Sequence, residues 1–476
     1  MSNPIKILHL TTHLSGGVGA VLLSTLKYYE NNAHYEHEII TLEPLLVSEK
    51  EYFDGYLKCV THAADVDIIN KMINTADIVQ VEWWTHPLIY EYLIKLDFGK
   101  SRVIVCSHIS GLHCPNVITS NLVKFSDIFI ATTKASKNLD LFKNSGLLDK
   151  LNFINHPINF NRFKHINCEN NGNKSTNETF NIGYVGTLNY SKLHKQFLSL
   201  ASQISNTNMK FIVCGEDVDN KLFLESKQYD NVNFEFRGFV DDLSTVFEGL
   251  DVFGYPLNDK HFGTGEQIIK EAMYAGLPVV CFDNPCEREL IIDGSTGILV
   301  KSEQEYVEAI KKLYRSKDMR IKIGENARKH IISTLKPSMV YGKLNLIYED
   351  IFKQKKTIKT FAFEKVEFNK DLNVDLGAKL FIEALGNQKN EFYESYIPKS
   401  NSQLSSDVRI SKCEHELRVQ NKGSIIQFLR YFPNDRYLNY WTALIYSNEK
   451  KYLLADKHFK LSGLSAKRIN EIKKYI

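Results

Sequence analysis

The chain has 476 residues, 43% hydrophobic and 12% aromatic, with a formal net charge of +3, which suits two or three globular domains with sizeable cores. So small a charge makes no case for nucleic acid. The start MSNPIKILHLTT lacks a basic segment followed by a long apolar core, and no later run approaches a membrane span, so a cytoplasmic location is expected. The eight cysteines, at 59, 106, 114, 168, 214, 281, 286 and 413, show no Cys-x-x-Cys pair and no zinc-like spacing, which argues against a metal or disulfide scaffold and for reduced core thiols.

In chain order, IKILHL, HEIITL, DIVQVEW, RVIVCSH, DIFIATT and NFINHPI are short apolar runs separated by helix-length segments. A second series follows: FNIGYVG, KFIVCG, VNFEFRGF, DVFGYPL, PVVCFD and GILV. Runs of this type belong to parallel sheets covered on both faces, so the expectation is an α/β chain with two Rossmann-like domains. The Asn-rich, nearly apolar-free stretch after His165 marks the boundary. The expected division is a first domain over 1–165, a linker over 166–179, a second domain over 180–335, a helix over 336–356 returning to the first domain, and a helical extension over 357–476.

The extension carries 20 Lys/Arg against 14 Asp/Glu, an excess that fits either a solvated surface or a peripheral contact with an anionic membrane face or a protein partner. Within it, Trp441, Leu444, Tyr452, Ala455 and Phe459 resemble part of a tetratricopeptide helix pair near 437–465. No fixed-period copies accompany them, so an isolated helical hairpin is expected.

The stretch HFGTGEQIIKEAMYAGLPVV, His261 to Val280, reads as a glycine-rich loop, a helix starting near Thr264 to Glu266, and a buried strand. A helix mouth at the carboxyl end of a parallel strand offers unpaired amides and a positive dipole end to phosphate. Gly263 and Gly265 would let an anion approach, and Thr264 can cap the helix or donate its hydroxyl. On a helical wheel Ile268, Ile269, Ala272 and Met273 form the buried stripe, Glu266, Gln267, Lys270 and Tyr274 face away, and Glu271 lies at the border. Glu266 with Lys270 also fits a plain i,i+4 ion pair.

The segment GTGEQIIKEAMYAGLPVVCFDNPCERELIIDGSTGILV resembles the donor-binding segment of glycosyltransferase family four (glycosyl transferases group 1), retaining sugar-nucleotide transferases of the GT-B fold, and the similarity extends over about residues 5–350. The resemblance implies two Rossmann-like domains facing a cleft. The first is the acceptor side; the second binds a nucleotide-diphosphate sugar at Gly263 to Gln267, with Glu271 on the ribose. It further implies that Gly16 and Gly17 lie at the diphosphate or acceptor, that His108 at a strand end is an active-site histidine, and that Lys192 neutralises donor phosphate. Backbone groups near Arg237 to Phe239, Gly238 among them, would read the base. Glycines after a first strand also serve any Rossmann turn.

Two positions depart from the family. Thr187 replaces its usual arginine, and its first paired glutamate falls on Gly263, with Glu266 near enough to take part of that role. Glu82, Trp83 and Trp84 are acceptor-binding candidates, since exposed tryptophan faces stack on sugars, although core packing explains one of them equally well. No carboxylate pair at metal spacing is needed, so neither metal nor cofactor is expected beyond the donor substrate. The implied function is transfer of a sugar to an acceptor hydroxyl of a glycan, lipid-linked or protein acceptor, with retention, in polysaccharide or glycoconjugate synthesis. A nucleotide-sugar epimerase on the same fold, or a non-catalytic subunit recruiting a partner transferase, are the alternatives.

Overall fold

A computed structural model describes residues 3–144, 146–163, 165–166, 179–217, 220–261, 263–362, 375–386 and 424–474. The chain forms two compact units, one built from 1–131, 136–152 and 347–476, the other from 132–135 and 153–346. Most of the expected linker, with Cys168, and Cys413 in the extension lie outside the described residues.

The first unit holds a seven-stranded sheet of β1 (Ile5–Thr11), β2 (Tyr35–Thr41), β3 (Val60–His62), β4 (Ile78–Trp83), β5 (Val103–Ser107), β6 (Ile128–Ala131) and β7 (Leu151–Phe153), in the order β7-β6-β5-β4-β1-β2-β3. From β6 to β3 the neighbours pair in parallel. β4, β5 and β6 are buried along their whole length, which is why β5 and β6 read as nearly continuous apolar runs and β4 as one broken only by Gln80 and Glu82. β3 was not expected, because three edge residues, two of them exposed, leave no apolar run to detect.

The second unit holds β8 (Phe180–Val185), β9 (Met209–Cys214), β10 (Phe234–Gly238), β11 (Val252–Tyr255), β12 (Val279–Phe282) and β13 (Ile298–Val300), all parallel, in the order β10-β9-β8-β11-β12-β13. Phe180, Ile182, Phe211, Val252, Val280, Ile310 and Leu313 form much of its core. In each sheet the order reverses beside the first strand, at β1/β4 and β8/β11, and open parallel sheets bind ligands outside the carboxyl ends of the strands at such a point.

The helix Pro337–Lys353 belongs to the first unit from Ile347 onward. The described extension opens with a two-residue strand, Thr357–Ile358, paired antiparallel with Lys100–Ser101, and continues in the helices Leu376–Ala384, Ile425–Tyr431, Arg436–Asn448, Tyr452–Leu461 and Ala466–Lys473, packed within the first unit rather than apart from it. Asn121 Nδ2 donates to Glu383 Oε1 at 2.7 Å, and Asp435 caps its helix through Leu438 while also accepting from the Ala378 amide. Trp441, Leu444, Ala455 and Phe459 are buried, whereas Tyr452 is 61% exposed. No described helix is long and apolar enough to cross a membrane.

Candidate functional site

In the second unit the loops after β8 and β11 are tied together, since the Asn258 amide donates to the Lys192 carbonyl at 2.8 Å and Leu193 bridges to Leu257. This brings Lys192 to the residues after β11. Its Nζ donates to Glu266 Oε2 at 2.9 Å, and Tyr255 Oη donates to the same oxygen at 3.0 Å. Burial by itself would raise the Glu266 carboxyl. The charges of Lys192 and His261, with the hydrogen bonds from Lys192 and Tyr255, bring it below its ordinary range.

Gly263 explains how that carboxylate is seated. A Cβ at Gly263 would stand 1.9 Å from Glu266 Oε1 and 2.7 Å from His261 Nδ1. The Glu266 carboxylate therefore occupies the volume that a side chain at 263 would need. At Gly265 packing also requires a small residue, because a Cβ there would meet Asn155 Oδ1 at 2.9 Å and the Thr132 carbonyl at 3.2 Å.

The helix begins later than expected, at Gln267, with Glu266 as its N-cap and no side-chain cap. Thr264 does not cap it. The mouth is also partly spoken for: the Gly263 amide donates to His261 Nδ1 at 2.9 Å and the Glu266 amide to the Thr264 carbonyl at 2.8 Å. The face expected to look outward is covered. Glu266, Lys270 and Tyr274 are buried, and Lys270 donates to Asn155 Oδ1 and to the His156 carbonyl, each at 2.9 Å, instead of pairing with Glu266. Gln267 Nε2 reaches the Pro157 carbonyl at 3.4 Å. The segment 155–157 lies about 110 residues back in the chain, and a wheel drawn on the helix alone cannot see it. Burial lowers Lys270 to about 7 and raises Glu271 to about 7, against opposing charges from Arg162 and Lys270 at Glu271. Glu271 itself keeps a part-exposed edge.

Gly238 ends β10 at φ +66°, and beside it Phe239 is 78% exposed. The sequence points there only to backbone groups near Arg237 to Phe239; the exposed ring adds a flat apolar face at the strand's carboxyl end, signalled by an aromatic directly after a turn glycine.

In the first unit, β1 ends at Thr11, β4 at Trp83 and β5 at Ser107, followed by His108, whose amide donates to the Trp83 carbonyl at 2.7 Å. Gly16, at φ +67°, and Gly17 open the helix Gly16–Tyr29, and a Cβ at either would meet nothing within 4 Å. Glu82 is not placed to hold an acceptor. It is 1% exposed, and its oxygens are engaged by His9 Nδ1 at 2.7 Å, Gln80 Nε2 at 2.8 Å and His108 Nε2 at 2.6 Å. Burial alone would raise this carboxyl, but the hydrogen bonds and charges of His108 and His9 hold it well below the usual carboxylate range. Trp83 is fully buried against Tyr90 and belongs to the core, so its expected exposed face is absent. Trp84, 9% exposed, contacts the rings of His13, His86 and His108.

Two clusters bring metal-capable atoms together, Glu82 with Cys106 and His108, and His261 with Glu266 and Glu287. Neither donor set fits an ion as it stands. The Glu82 oxygens already receive three donors. At His261 the Gly263 amide occupies the Nδ1 lone pair, so the ring proton is on Nε2 facing Glu287 Oε1 at 3.0 Å, and Nε2 has no lone pair for a metal. The six described cysteines form no disulfide, and Cys106, Cys214, Cys281 and Cys286 are buried.

Residues 169–330, about a third of the chain, match the family model described as glycosyl transferases group 1. Over 158 residues the chain is 26% identical to EpsD of Bacillus subtilis (strain 168), itself a glycosyltransferase by assignment; the match covers 32% of this chain and 41% of that protein. The chain thus spans less than half the length of that relative. Among solved structures, HepE of Anabaena in complex with UDP and glucose superposes with a TM-score of 0.60 at 16% identity, covering 73% of this chain and all of that one. A glycosyltransferase from Rickettsia africae gives 0.59 at 16% identity, covering 74% of this chain and all of that one. The chain has the GT-B fold, α/β with two Rossmann-like sheets and a helical C-terminal region, and its residues 169–330 match the model of glycosyl transferases group 1.

Proposed function

We propose that the chain moves a glycosyl group from a nucleoside-diphosphate sugar to an acceptor hydroxyl, with retention of the anomeric configuration. The observation that carries this reading is the pairing of Lys192 with Glu266 where the loops after β8 and β11 meet, at the strand-order reversal of the second sheet and inside the segment that matches the family, with Glu271 on the helix that follows. In the reaction the bond from the anomeric carbon to the diphosphate oxygen breaks, and its electron pair leaves with the diphosphate. The acceptor oxygen bonds to the anomeric carbon, and its proton passes to the departing phosphate.

Lys192 would meet the charge released on the diphosphate. Because it is already paired with Glu266, that carboxylate limits how far the ammonium can move and fixes its position before donor binds. Glu266, seated where a residue-263 side chain would be, takes the place of the carboxylate that Gly263 lacks. Glu271 accepts from the ribose hydroxyls. By its resemblance to the family's active-site histidine His108 is the catalytic candidate of the first unit, and Trp84 remains an acceptor-side candidate.

The complex of HepE with UDP-glucose makes UDP-sugars the first donors to test. A thermal-shift series with UDP, GDP, ADP and their sugars should show stabilisation by one base, lost in Glu271→Ala and Lys192→Ala. A chain that no nucleotide stabilises would refute the reading. Conversion of a nucleotide sugar to its epimer without acceptor would replace transfer by epimerisation.

A further inference from the structure

The sheet order β5-β4-β1-β2 sets His108, Glu82, His9 and His37 side by side across four neighbouring strands. In register, His9 faces Gln80, and Glu82 lies two residues further on the same face of β4. The hydrogen bonds among them have one consistent direction. Tyr348 Oη, fully buried, donates to Gln80 Oε1 at 2.8 Å, which turns the Gln80 amide nitrogen toward Glu82 Oε1 at 2.8 Å. His9 Nδ1 lies 2.7 Å from that oxygen and His9 Nε2 lies 2.8 Å from His37 Nδ1.

A carboxylate only accepts, so His9 carries its proton on Nδ1 and, when neutral, accepts at Nε2 from His37 Nδ1. That leaves His37 Nε2 as a bare lone pair, in keeping with its being buried without a hydrogen-bond partner. Every proton in the chain points toward Glu82. No lysine or arginine pairs with this buried carboxylate among the described residues.

An anion held by His9 and Gln80 on one oxygen cannot rotate to follow His108, so the imidazole must adapt to it. We propose that Glu82 is a positioning residue that fixes His108 as the tautomer protonated on Nε2, with Gln80, His9 and Tyr348 holding Glu82 in place. The placement stands on this geometry; its consequence for transfer rests on the function proposed above.

The test is the tautomer itself. In Glu82→Gln the amide has one oxygen and one NH2 group. Gln80 and His9 both donate on the Oε1 side, so the oxygen stays there and the NH2 turns to His108, which can then only accept at Nε2. Nitrogen-15 spectra of the histidine-labelled full chain should show His108 protonated on Nε2 in the wild type and on Nδ1 in Glu82→Gln. Turnover should fall about 100-fold, the lower end of the range for general acid–base roles, with donor KM nearly unchanged, and Glu82→Asp should restore part of it. Should Glu82→Gln not fold, Tyr348→Phe releases the Gln80 amide and should give a mixture of His108 tautomers with a smaller loss of turnover. Retention of the Nε2 proton in Glu82→Gln, or inversion with turnover intact, overturns the proposal. A wild-type chain that transfers no sugar from any donor counts against the transferase reading instead, and the spectra still decide the positioning.

Discussion

Replacing Glu271 by glutamine should make the protein more stable and less able to bind its donor. Burial raises this carboxyl from its ordinary 4.5 to about 7, which at ~1.4 kcal/mol per tenfold change in proton affinity sets a ceiling of about 3 kcal/mol on the cost of folding with the charge in place. The side chain is part-exposed, and water relieves some of that cost, so the expected gain is about 1–2 kcal/mol. Its sign with pH is determined. The folded state holds the proton more tightly than the unfolded chain, so native stability is lost as pH rises from 4.5 through about 7 and the loss is complete above it. Glutamine has no such loss. At pH 8 Lys270, lowered to about 7, is mostly neutral, and removing the neighbouring anion does not strand a cation. Urea unfolding of both proteins at pH 8 and pH 4.5 should show the gain at the higher pH and little of it at the lower. Nucleotide affinity should drop about 10–100-fold, the worth of a charged hydrogen bond to the ribose. A Glu271→Gln protein that is no more stable at pH 8, or equally favoured at both pH values, would refute the assignment of a strained, buried carboxylate.

Lys192→Ala should weaken donor binding and also cost ~2–4 kcal/mol of stability, because it leaves the buried Glu266 charge unpaired; adding Glu266→Gln should recover most of the stability in a melt and none of the binding. Gly263→Ala should fold, since the Glu266 side chain can move, but the new Cβ 1.9 Å from Oε1 should push the carboxylate off Lys192 and Tyr255 and lower turnover, so a fully active variant would show that the seat of Glu266 is irrelevant. Trp83→Ala should cost ~3–5 kcal/mol as a core cavity, whereas Trp84→Ala should alter acceptor KM with a smaller loss of stability. Reversed effects in chemical denaturation and kinetics would restore Trp83 as a surface residue.

Much of the architecture was legible before any coordinates. Strands buried on both faces are mostly apolar, so β1, β4, β5, β8, β9, β11 and β12 stand out as runs even where His9, Gln80 and Glu82 interrupt them, and the glycine-rich mouth before Glu271 stands out because only a few backbone tasks require such a stretch. What the tertiary structure decided was the neighbour of each polar side chain. Glu266 and Lys270 looked like an exposed pair because helical periodicity describes one helix, and the chain that covers them, 155–157, comes from far upstream. Glu82 and Trp83 looked like a binding surface because they end a strand, yet β1 and the helix carrying Tyr348 enclose Glu82 and its neighbour Gln80, while Tyr90 packs on Trp83. Local sequence determines which segments can be strands or helices, since that depends on the spacing of apolar residues along the chain. Which charges are paired, and which imidazole nitrogen keeps its proton, depends on groups brought close only by folding.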